Sequence, residues 1–224
     1  MPSANSLLEL RELLTGRFPH AHSASSLPTA SAIPTGVPAL DILLAGGLPR
    51  GELTELVGPG AGSGSGLAMH ELLRETAARG QFLALVDGAD SFDVTAVEPA
   101  VLAHLLWVRC ANAGEALKAA DLLLRDPNVP LVALDLKLNS VAELRKISSS
   151  VWHRFRRLLE QNQTAMVVIT PAALISGASW RVQCESNLDI EALSSVHNEL
   201  LPQLRFTLLR AAGSSYESQA AQAG

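Results

Sequence analysis

Apolar and polar residues follow one another along this chain in blocks that have the period of a strand or of a helix. Runs that are apolar on both faces suggest strands at 51–58, 82–87, 105–110, 130–136 and 165–170. Segments with apolar residues at helical spacing separate them, at 65–79, 94–104, 113–126 and 139–161. Strands of this kind that alternate with helices form a parallel sheet covered on both sides. The pattern therefore predicts an α/β fold.

The pattern changes toward both ends of the chain. After residue 170, SWRVQCES and QLRFTLLRA have strand character with few helical residues between them, and we expect an antiparallel extension at one edge of the sheet. Residues 1–18 predict an amphipathic helix, and residues 19–32, rich in Ser, Ala and Pro, predict a linker. The expected domain organisation is therefore a helix, a linker, a core over 33–212 and a flexible tail over 213–224.

The predicted N-terminal helix has a stripe of leucines at helical spacing. These are Leu7, Leu10, Leu13 and Leu14. A helix on a linker has no core beside it to bury such a stripe. Two interpretations stay open: the helix folds back onto its own core, or it docks on another molecule.

Composition narrows the class of protein. Of 224 residues, 48% are hydrophobic, which excludes a disordered chain. Lys and Arg number 17 against 22 Asp and Glu, a balance that does not favour bulk nucleic-acid binding. No apolar run approaches the ~18 residues of a membrane span, and the pattern of a signal peptide is missing, so we expect a cytoplasmic protein. Cys110 and Cys184 lie in apolar stretches and predict buried free thiols, and the scattered histidines predict no metal site.

A glycine-rich loop joins the strand 51–58 to the helix 65–79, which is the context of a phosphate-binding loop. The phosphate-binding pattern has a lysine before its Ser or Thr, whereas this chain has Gly64 before Ser65. Glycine cannot supply the charge that the lysine brings to the β and γ phosphates. The loop is either a weak or vestigial nucleotide site or a flexible connection. The candidate residues in it are Gly58, Gly60, Gly62, Ser63, Gly64 and Ser65.

The predicted helix 139–161 is amphipathic. Its expected apolar stripe consists of Val141, Leu144, Ile147, Val151, Phe155 and Leu158. Lys146, Arg154 and Arg157 fall on the opposite side. Such a face is either solvated or a contact for a DNA backbone or an acidic partner.

Residues 33–60 carry a long motif that consists of Thr-Gly, Leu-Asp, Gly-Gly-Leu-Pro, Gly, and an apolar strand that ends in Gly-Pro. The matching residues are Thr35, Gly36, Leu40, Asp41, Gly46, Gly47, Leu48, Pro49, Gly51, Gly58 and Pro59. The motif closely resembles the entry to the RecA recombinase core, and the order of later elements agrees to about residue 212. The resemblance implies a RecA-like core with a mostly parallel central sheet flanked by helices, in which the Walker B strand ends at Asp135.

The sequence also departs from RecA-like ATPases. Gly64 replaces the lysine, Ala89 stands at or near the glutamate that polarises the attacking water, and Thr170 replaces the glutamine that senses the γ-phosphate. Of the expected site only Ser65 and Asp135, the Mg²⁺-side pair, remain. The two DNA-binding loops are also short. These departures predict a chain that does not hydrolyse ATP, with no catalytic residues and no ATP or Mg²⁺ cofactor.

A short RecA-like core without the Walker lysine and with a detached N-terminal helix is similar to the ImuA family of SOS mutagenesis accessory proteins. The resemblance implies a non-catalytic adaptor that binds RecA, an ImuB-like polymerase-related protein and an error-prone polymerase complex, with the leucine stripe as the expected interface. DNA binding is then weak or indirect, and the protein is nucleoid-associated through its partners. Two alternatives stay open: an unorthodox RecA-type ATPase in which Arg50 or a neighbouring subunit replaces the lysine, and a SulA-like cell-division inhibitor.

Overall fold

The computed structural model describes residues 32–60, 62–186, 188, 192 and 197–211. The predicted N-terminal helix, the linker up to residue 31 and the tail 213–224 lie outside the described residues. The strands are β1 (Ala32–Ile33), β2 (Leu48–Pro49), β3 (Leu53–Val57), β4 (Leu83–Asp87), β5 (Leu105–Arg109), β6 (Leu131–Asp135), β7 (Ala165–Thr170), β8 (Trp180–Ser186) and β9 (Leu204–Arg210). The α-helices are α1 (Pro38–Leu43), α2 (Ser65–Ala78), α3 (Pro99–Leu102), α4 (Ala113–Leu123), α5 (Val141–Leu144), α6 (Ser149–Asn162) and α7 (His197–Leu200).

Seven of these strands form one sheet, in the order β5-β4-β6-β7-β3-β8-β9. Neighbouring strands are parallel except at one edge, where β9 runs antiparallel to β8. The α/β prediction and its antiparallel edge extension are confirmed, with one refinement: β8 is itself parallel to β3. β1 and β2 form a separate antiparallel pair. In the described part of the chain, no helix has both the length and the apolar character needed to cross a membrane.

The central strands are apolar throughout because both faces of the sheet are covered. Every residue of β3, β4, β6 and β7 is buried. Two hydrophobic clusters result, one on each face, and successive side chains of a strand alternate between them. In β3, Leu56 belongs to one cluster and Leu53 to the other. The strand β5, at the sheet edge, is half-buried or exposed along its length.

The prediction of a single helix over 139–161 is wrong in the middle. The helix α5 ends at Leu144, and α6 begins after Ser148, whose hydroxyl accepts a hydrogen bond from the Ser150 N–H (3.3 Å). Serine favours this capping role over an interior helical position. The break changes the helical register, so the buried stripe of α6 is Trp152, Phe155 and Leu159. The predicted Val151 and Leu158 are only half-buried.

The Thr-Gly and Leu-Asp parts of the N-terminal motif build one local structure before β3. The Asp41 carboxylate accepts hydrogen bonds from the backbone N–H (2.8 Å) and the hydroxyl (2.7 Å) of Thr35. Gly47 has φ +128°, and a Cβ there would lie 2.2 Å from the Ile33 carbonyl oxygen. Only glycine allows this close approach between β1 and β2. The motif therefore fixes the path of the chain into β3.

A buried carboxylate joins the centre of the sheet to the segment that follows β7. Glu55 in β3 is fully buried. Its Oε1 accepts hydrogen bonds from the Thr170 hydroxyl (3.0 Å) and from the N–H groups of Leu174 (2.8 Å) and Ile175 (3.1 Å). Its Oε2 pairs with the Arg181 Nε of β8 at 2.5 Å. Arg181 Nη2 also donates to the Ile175 carbonyl (2.7 Å), so the charges are paired and hydrogen-bonded as burial requires.

We expect Glu55→Ala to lower the free energy of unfolding by about 3–5 kcal/mol, because it leaves the partly buried Arg181 without its counter-charge. The measurement is urea denaturation followed by circular dichroism. The exposed Glu185 of β8 is the control, and Glu185→Ala should change stability by less than about 0.5 kcal/mol. Glu55→Gln, which keeps one acceptor oxygen, should lie between the two. Equal values for Glu55→Ala and Glu185→Ala would contradict a structural role for this carboxylate.

Candidate functional site

The glycine-rich loop lies where the carboxyl ends of β3, β6 and β7 meet. The Gly58 N–H after β3 donates to the Thr170 carbonyl (2.9 Å), and the Leu136 N–H after β6 donates to the Ile169 carbonyl (2.9 Å). A cleft of about 500 Å³ opens beside this edge. It is lined by Gly60, Gly62–Leu67, Lys137, Leu138, Pro171 and Leu188. The structure thus brings most of the predicted loop residues together in one cleft, whereas Gly58 and Asp135 do not line it.

A side chain at Gly64 would need both an unfavourable backbone conformation and a shift of the Leu204 side chain. Gly64 precedes α2 with φ +86°, in the left-handed region that side chains rarely adopt. A Cβ at this position would lie 2.2 Å from Cδ2 of Leu204, the first residue of β9. A lysine here would be strained and would also collide with β9. The absence of a lysine at position 64 is therefore consistent with the way Leu204 packs against this loop.

The antiparallel edge strands β8 and β9 hold the glycine-rich loop from one side. The Cys184 thiol donates to the Ser63 carbonyl (3.2 Å), and the Ser186 hydroxyl donates to the Gly62 carbonyl. Cys184 is fully buried, and burial raises its pKa to about 12, so the group stays a neutral donor. Both cysteines are buried and free, as predicted. The loop is thus hydrogen-bonded to the strand β8, which the sequence motif did not include.

The Mg²⁺-side pair already has partners within the chain. The Ser63 hydroxyl donates to the Ser65 hydroxyl (3.2 Å), and both residues are buried. The Asp135 carboxylate accepts the Lys137 N–H at 3.0 Å through Oδ1 and forms an ion pair with the Lys137 ammonium through Oδ2. Burial raises the pKa of Asp135, and the Lys137 charge opposes that rise. In this arrangement the Asp135 carboxylate is paired with the Lys137 ammonium, so Ser65 and Asp135 do not fit a Mg²⁺ ion.

Lys137 is a site residue that the sequence motifs do not predict. Its signal was its position two residues after the aspartate that ends β6, because the chain leaving a parallel strand remains at the carboxyl edge of the sheet. Lys137 lines the same cleft as the glycine-rich loop. The cleft therefore contains a cation, although that cation comes from a different element than the Walker lysine.

The other two departures from the ATPase pattern lie at structural positions. Ala89 donates its N–H to the Asp87 carboxylate (3.3 Å), in a turn that lines no part of the cleft. The adjacent Asp90 pairs with Arg109 of β5 at 2.5 Å, and that hydrogen bond lowers the pKa of Asp90. Thr170 is buried and donates its hydroxyl to Glu55. Ala89 thus contributes its backbone to a turn, and Thr170 contributes its hydroxyl to the buried Glu55 network.

Arg50 lies near the amino-terminal end of β3, whereas the glycine-rich loop follows the carboxyl-terminal end of that strand. It comes before the first residue of β3, and its Nη1 donates to the Gln163 carbonyl (3.4 Å) before β7. A five-residue strand is about 17 Å long, and the loop follows its far end. The alternative in which this chain's own Arg50 replaces the lysine is therefore wrong.

The predicted basic residues lie on or beside α6 and are exposed. Arg154 forms an ion pair with Asp121 of α4 at 2.8 Å. Lys146 and Arg157 have no acidic partner among the described residues. The leucine stripe of residues 7–14 lies outside the described residues. Within the described ranges, no three His, Cys, Asp or Glu side chains come together as metal ligands would.

Fold and site together define a class of protein. A glycine-rich loop joins the strand β3 to α2, and the aspartate Asp135 ends a strand two places away in a mostly parallel sheet. This is a RecA-like core. The family described as the RecA N-terminal domain matches residues 22–151, more than half of the chain, and the chain belongs to this family.

Curated relatives are RecA proteins at low identity. The chain is 26% identical over 200 residues to Protein RecA of Desulfotalea psychrophila, an alignment that covers 76% of this chain and 56% of that protein. It is 34% identical over 115 residues to Protein RecA of Porphyromonas gingivalis, covering 50% of this chain and 34% of that protein. It is 36% identical over 115 residues to Protein RecA of Chloroflexus aurantiacus, covering 50% of this chain and 32% of that protein. The chain thus spans between about a third and just over half of the length of these relatives.

We expect Gly64→Ala to destabilise the protein more than Gly60→Ala. Both glycines have φ +86°, but a Cβ at Gly60 meets nothing within 4 Å. Gly60→Ala should therefore cost only the backbone strain of about 1–2 kcal/mol, and Gly64→Ala about 1–3 kcal/mol more from the collision with Leu204. Urea denaturation gives both values. In a Leu204→Ala background the extra cost should vanish, and its persistence there would show that Leu204 is not its cause.

We expect Lys137→Met to destabilise the protein in a pH-dependent way, because burial then raises the pKa of Asp135 without an opposing charge. In this variant the pKa of Asp135 is higher in the folded than in the unfolded protein. The loss of stability is therefore small near pH 4, which is about the pKa of an unfolded aspartate. The loss grows as the pH rises through the folded-state pKa and reaches about 3–5 kcal/mol by pH 8. Free energies of unfolding across this range test it, with Lys137→Arg as the charge-preserving control. A loss that is equal at all pH values would contradict the ion-pair explanation.

Proposed function

We propose that this chain is a non-catalytic RecA-like adaptor of the DNA-damage (SOS) response, similar to the ImuA family. The observation that carries the proposal is the contact of Leu204 at Gly64. The space that the Cβ of a Walker lysine would need is filled by β9, and the backbone there is left-handed. A loop built in this way supports a scaffold role rather than phosphoryl transfer, which depends on a lysine at the β and γ phosphates.

The rest of the cleft supports the same proposal. Lys137 neutralises Asp135, which is the carboxylate that would face Mg²⁺ in an ATPase of this class. Thr170 donates to Glu55, and Ala89 carries no carboxylate to polarise water. Since the lysine, the water-polarising glutamate and the sensor glutamine are all absent, a single substitution should not restore hydrolysis. Gly64→Lys is expected to show no ATP turnover above the wild-type protein.

The proposed work of the adaptor is protein binding. Its partners are RecA, an ImuB-like polymerase-related protein and an error-prone polymerase complex. The leucine stripe Leu7, Leu10, Leu13 and Leu14 is one proposed interface. A second apolar surface lies at the β5 edge of the sheet, where Leu106 is 48% exposed and Phe82, just before the neighbouring strand, is 57% exposed. A subunit that docks on a RecA filament end and offers no ATP-competent face would stop growth there.

The binding test uses biolayer interferometry between the full-length chain and purified RecA filaments. We expect Leu10→Ser/Leu14→Ser to weaken binding at least about tenfold, because apolar anchors dominate such interfaces. The control is Leu122→Ser, which removes an exposed leucine from α4. Wild-type protein that does not bind RecA filaments, but binds a division protein, would instead favour the SulA-like alternative.

The test of a non-catalytic role is a calorimetric titration with Mg-ATP and Mg-ADP. We expect no heat of binding at millimolar nucleotide. The second candidate function, an unorthodox nucleotide-binding protein, is favoured by one observation, the position of Lys137 in the same cleft as the loop. Binding in the wild-type protein that Lys137→Met abolishes and Lys137→Arg retains would establish that alternative and contradict the adaptor proposal in its nucleotide-free form.

A further inference from the structure

The positive charge of this acidic chain is concentrated in one segment. Residues 144–159 contain five Arg or Lys and no Asp or Glu, whereas the whole chain has 17 of the former and 22 of the latter. The five cations are Arg145, Lys146, Arg154, Arg156 and Arg157. We call the exposed surface that they form, on α6 and the turn before it, the α6 basic face. Concentrated like charge on a protein of opposite net charge attracts polyanions locally.

Packing of α6 directs this charge outward. Trp152, Phe155 and Leu159 are buried against the sheet, so the remaining sides of the helix carry the basic side chains. Arg145, Lys146, Arg154 and Arg157 are exposed, and Arg156 is half-buried.

Most of the cations on the α6 basic face are not neutralised. Asp121 of α4 is shared by two guanidinium groups, Arg154 at 2.8 Å and Arg125 at 3.0 Å. Arg156 lies 3.9 Å from Glu160, a long ion pair. Arg145, Lys146 and Arg157 have no acidic partner in the described ranges. An external anion would therefore meet free cations without first breaking an internal ion pair.

The side chains around these cations favour a phosphate backbone over a protein. No large apolar side chain is exposed between residues 145 and 157. Protein interfaces depend on apolar or aromatic anchors at their centre, and this face has none. The exposed serines 148–150 at the start of α6 add small hydrogen-bonding groups of the kind that contact phosphates. Arginine, which supplies four of the five cations, also matches phosphate geometry in two parallel hydrogen bonds.

The same surface favours a duplex over a single strand. Single-strand binding surfaces combine positive charge with exposed aromatic rings on which bases stack. On α6 the aromatic residues Trp152 and Phe155 are buried, with 4% and 0% of their surface exposed. A duplex also presents twice the charge per unit length of one strand, one charge per about 1.7 Å.

We infer that the α6 basic face binds the phosphate backbone of double-stranded DNA without reading its sequence. This contact goes beyond the adaptor proposal and does not depend on it. The α6 basic face lies on α6 and the turn before it, and none of its residues lines the cleft at the glycine-rich loop. Three or four phosphate contacts would make the affinity fall steeply with salt, with a slope of log K against log salt of about −3 to −4. Between 50 and 200 mM salt, binding should weaken about 10²-fold.

The test is fluorescence anisotropy of a labelled 30-base-pair duplex with the full-length protein at several salt concentrations. The variant is Lys146→Ala/Arg157→Ala, which removes two unpaired cations and leaves the Asp121 ion pairs intact. We expect its affinity at 50 mM salt to fall at least about tenfold and its salt slope to shrink by about two. The control, Arg205→Ala/Arg210→Ala, removes two exposed arginines from β9 and should bind as the wild type does. Thermal melting checks that both variants fold.

Four outcomes would overturn the inference. They are no duplex binding by the wild type at 50 mM salt, an equal loss in the β9 control, tighter binding of oligo(dT) than of the duplex, and binding of a glutamate-rich peptide but not of the duplex. The last outcome would assign the face to an acidic protein. Because the experiment contains no RecA, its failure leaves the adaptor proposal to be decided by the RecA-binding test.

Discussion

The buried carboxylate of Glu55 is the constraint on which the cleft depends. It lies at the centre of the sheet with no exposed surface, and it binds groups from the end of β7, from the segment after β7 and from β8. A charge in such a place is stable only when its hydrogen bonds and counter-charge are all present. By holding Arg181, it fixes β8 beside β3. The position of β8 then decides what can approach the glycine-rich loop.

The glycine-rich loop is held in place by contacts with the neighbouring strands β8 and β9. Cys184 and Ser186 of β8 donate to carbonyls of the loop, and Leu204 of β9 packs where a side chain at position 64 would begin. In a phosphate-binding loop the N–H groups and a lysine are available to a ligand. Here the lysine position is filled by packing, and the cation of the cleft, Lys137, is engaged by Asp135. These contacts form one consistent arrangement, in which positions that differ from the ATPase pattern belong to the internal packing of the fold.

The same chain thus combines a RecA-family core with surfaces of a different kind. Exposed apolar side chains at the β5 edge and the cations of the α6 basic face do not line the cleft, and the N-terminal sequence carries a leucine stripe. These features are consistent with a protein that acts by binding other molecules. The negative net charge of the whole chain gives no sign of the α6 basic face, because net charge is a sum over elements that the fold separates in space.

Local sequence determined the class of fold and the order of its elements. Continuous apolar runs specify strands buried on both faces, and the Thr35–Asp41 motif specifies the turn into β3, since both depend on residues close in the chain. The Ser148 cap is also local, but the helical spacing of the apolar residues on both sides of it predicts one continuous helix where the structure has two. The sequence also identified Gly64 as a departure. Only the tertiary structure explained it, because Leu204 lies 140 positions away in the chain and meets Gly64 only when β8 and β9 fold beside β3. The direction of the strands likewise places Lys137 at the cleft and Arg50 at the other end of β3. Strand direction depends on long-range pairing, which a local sequence pattern does not reveal.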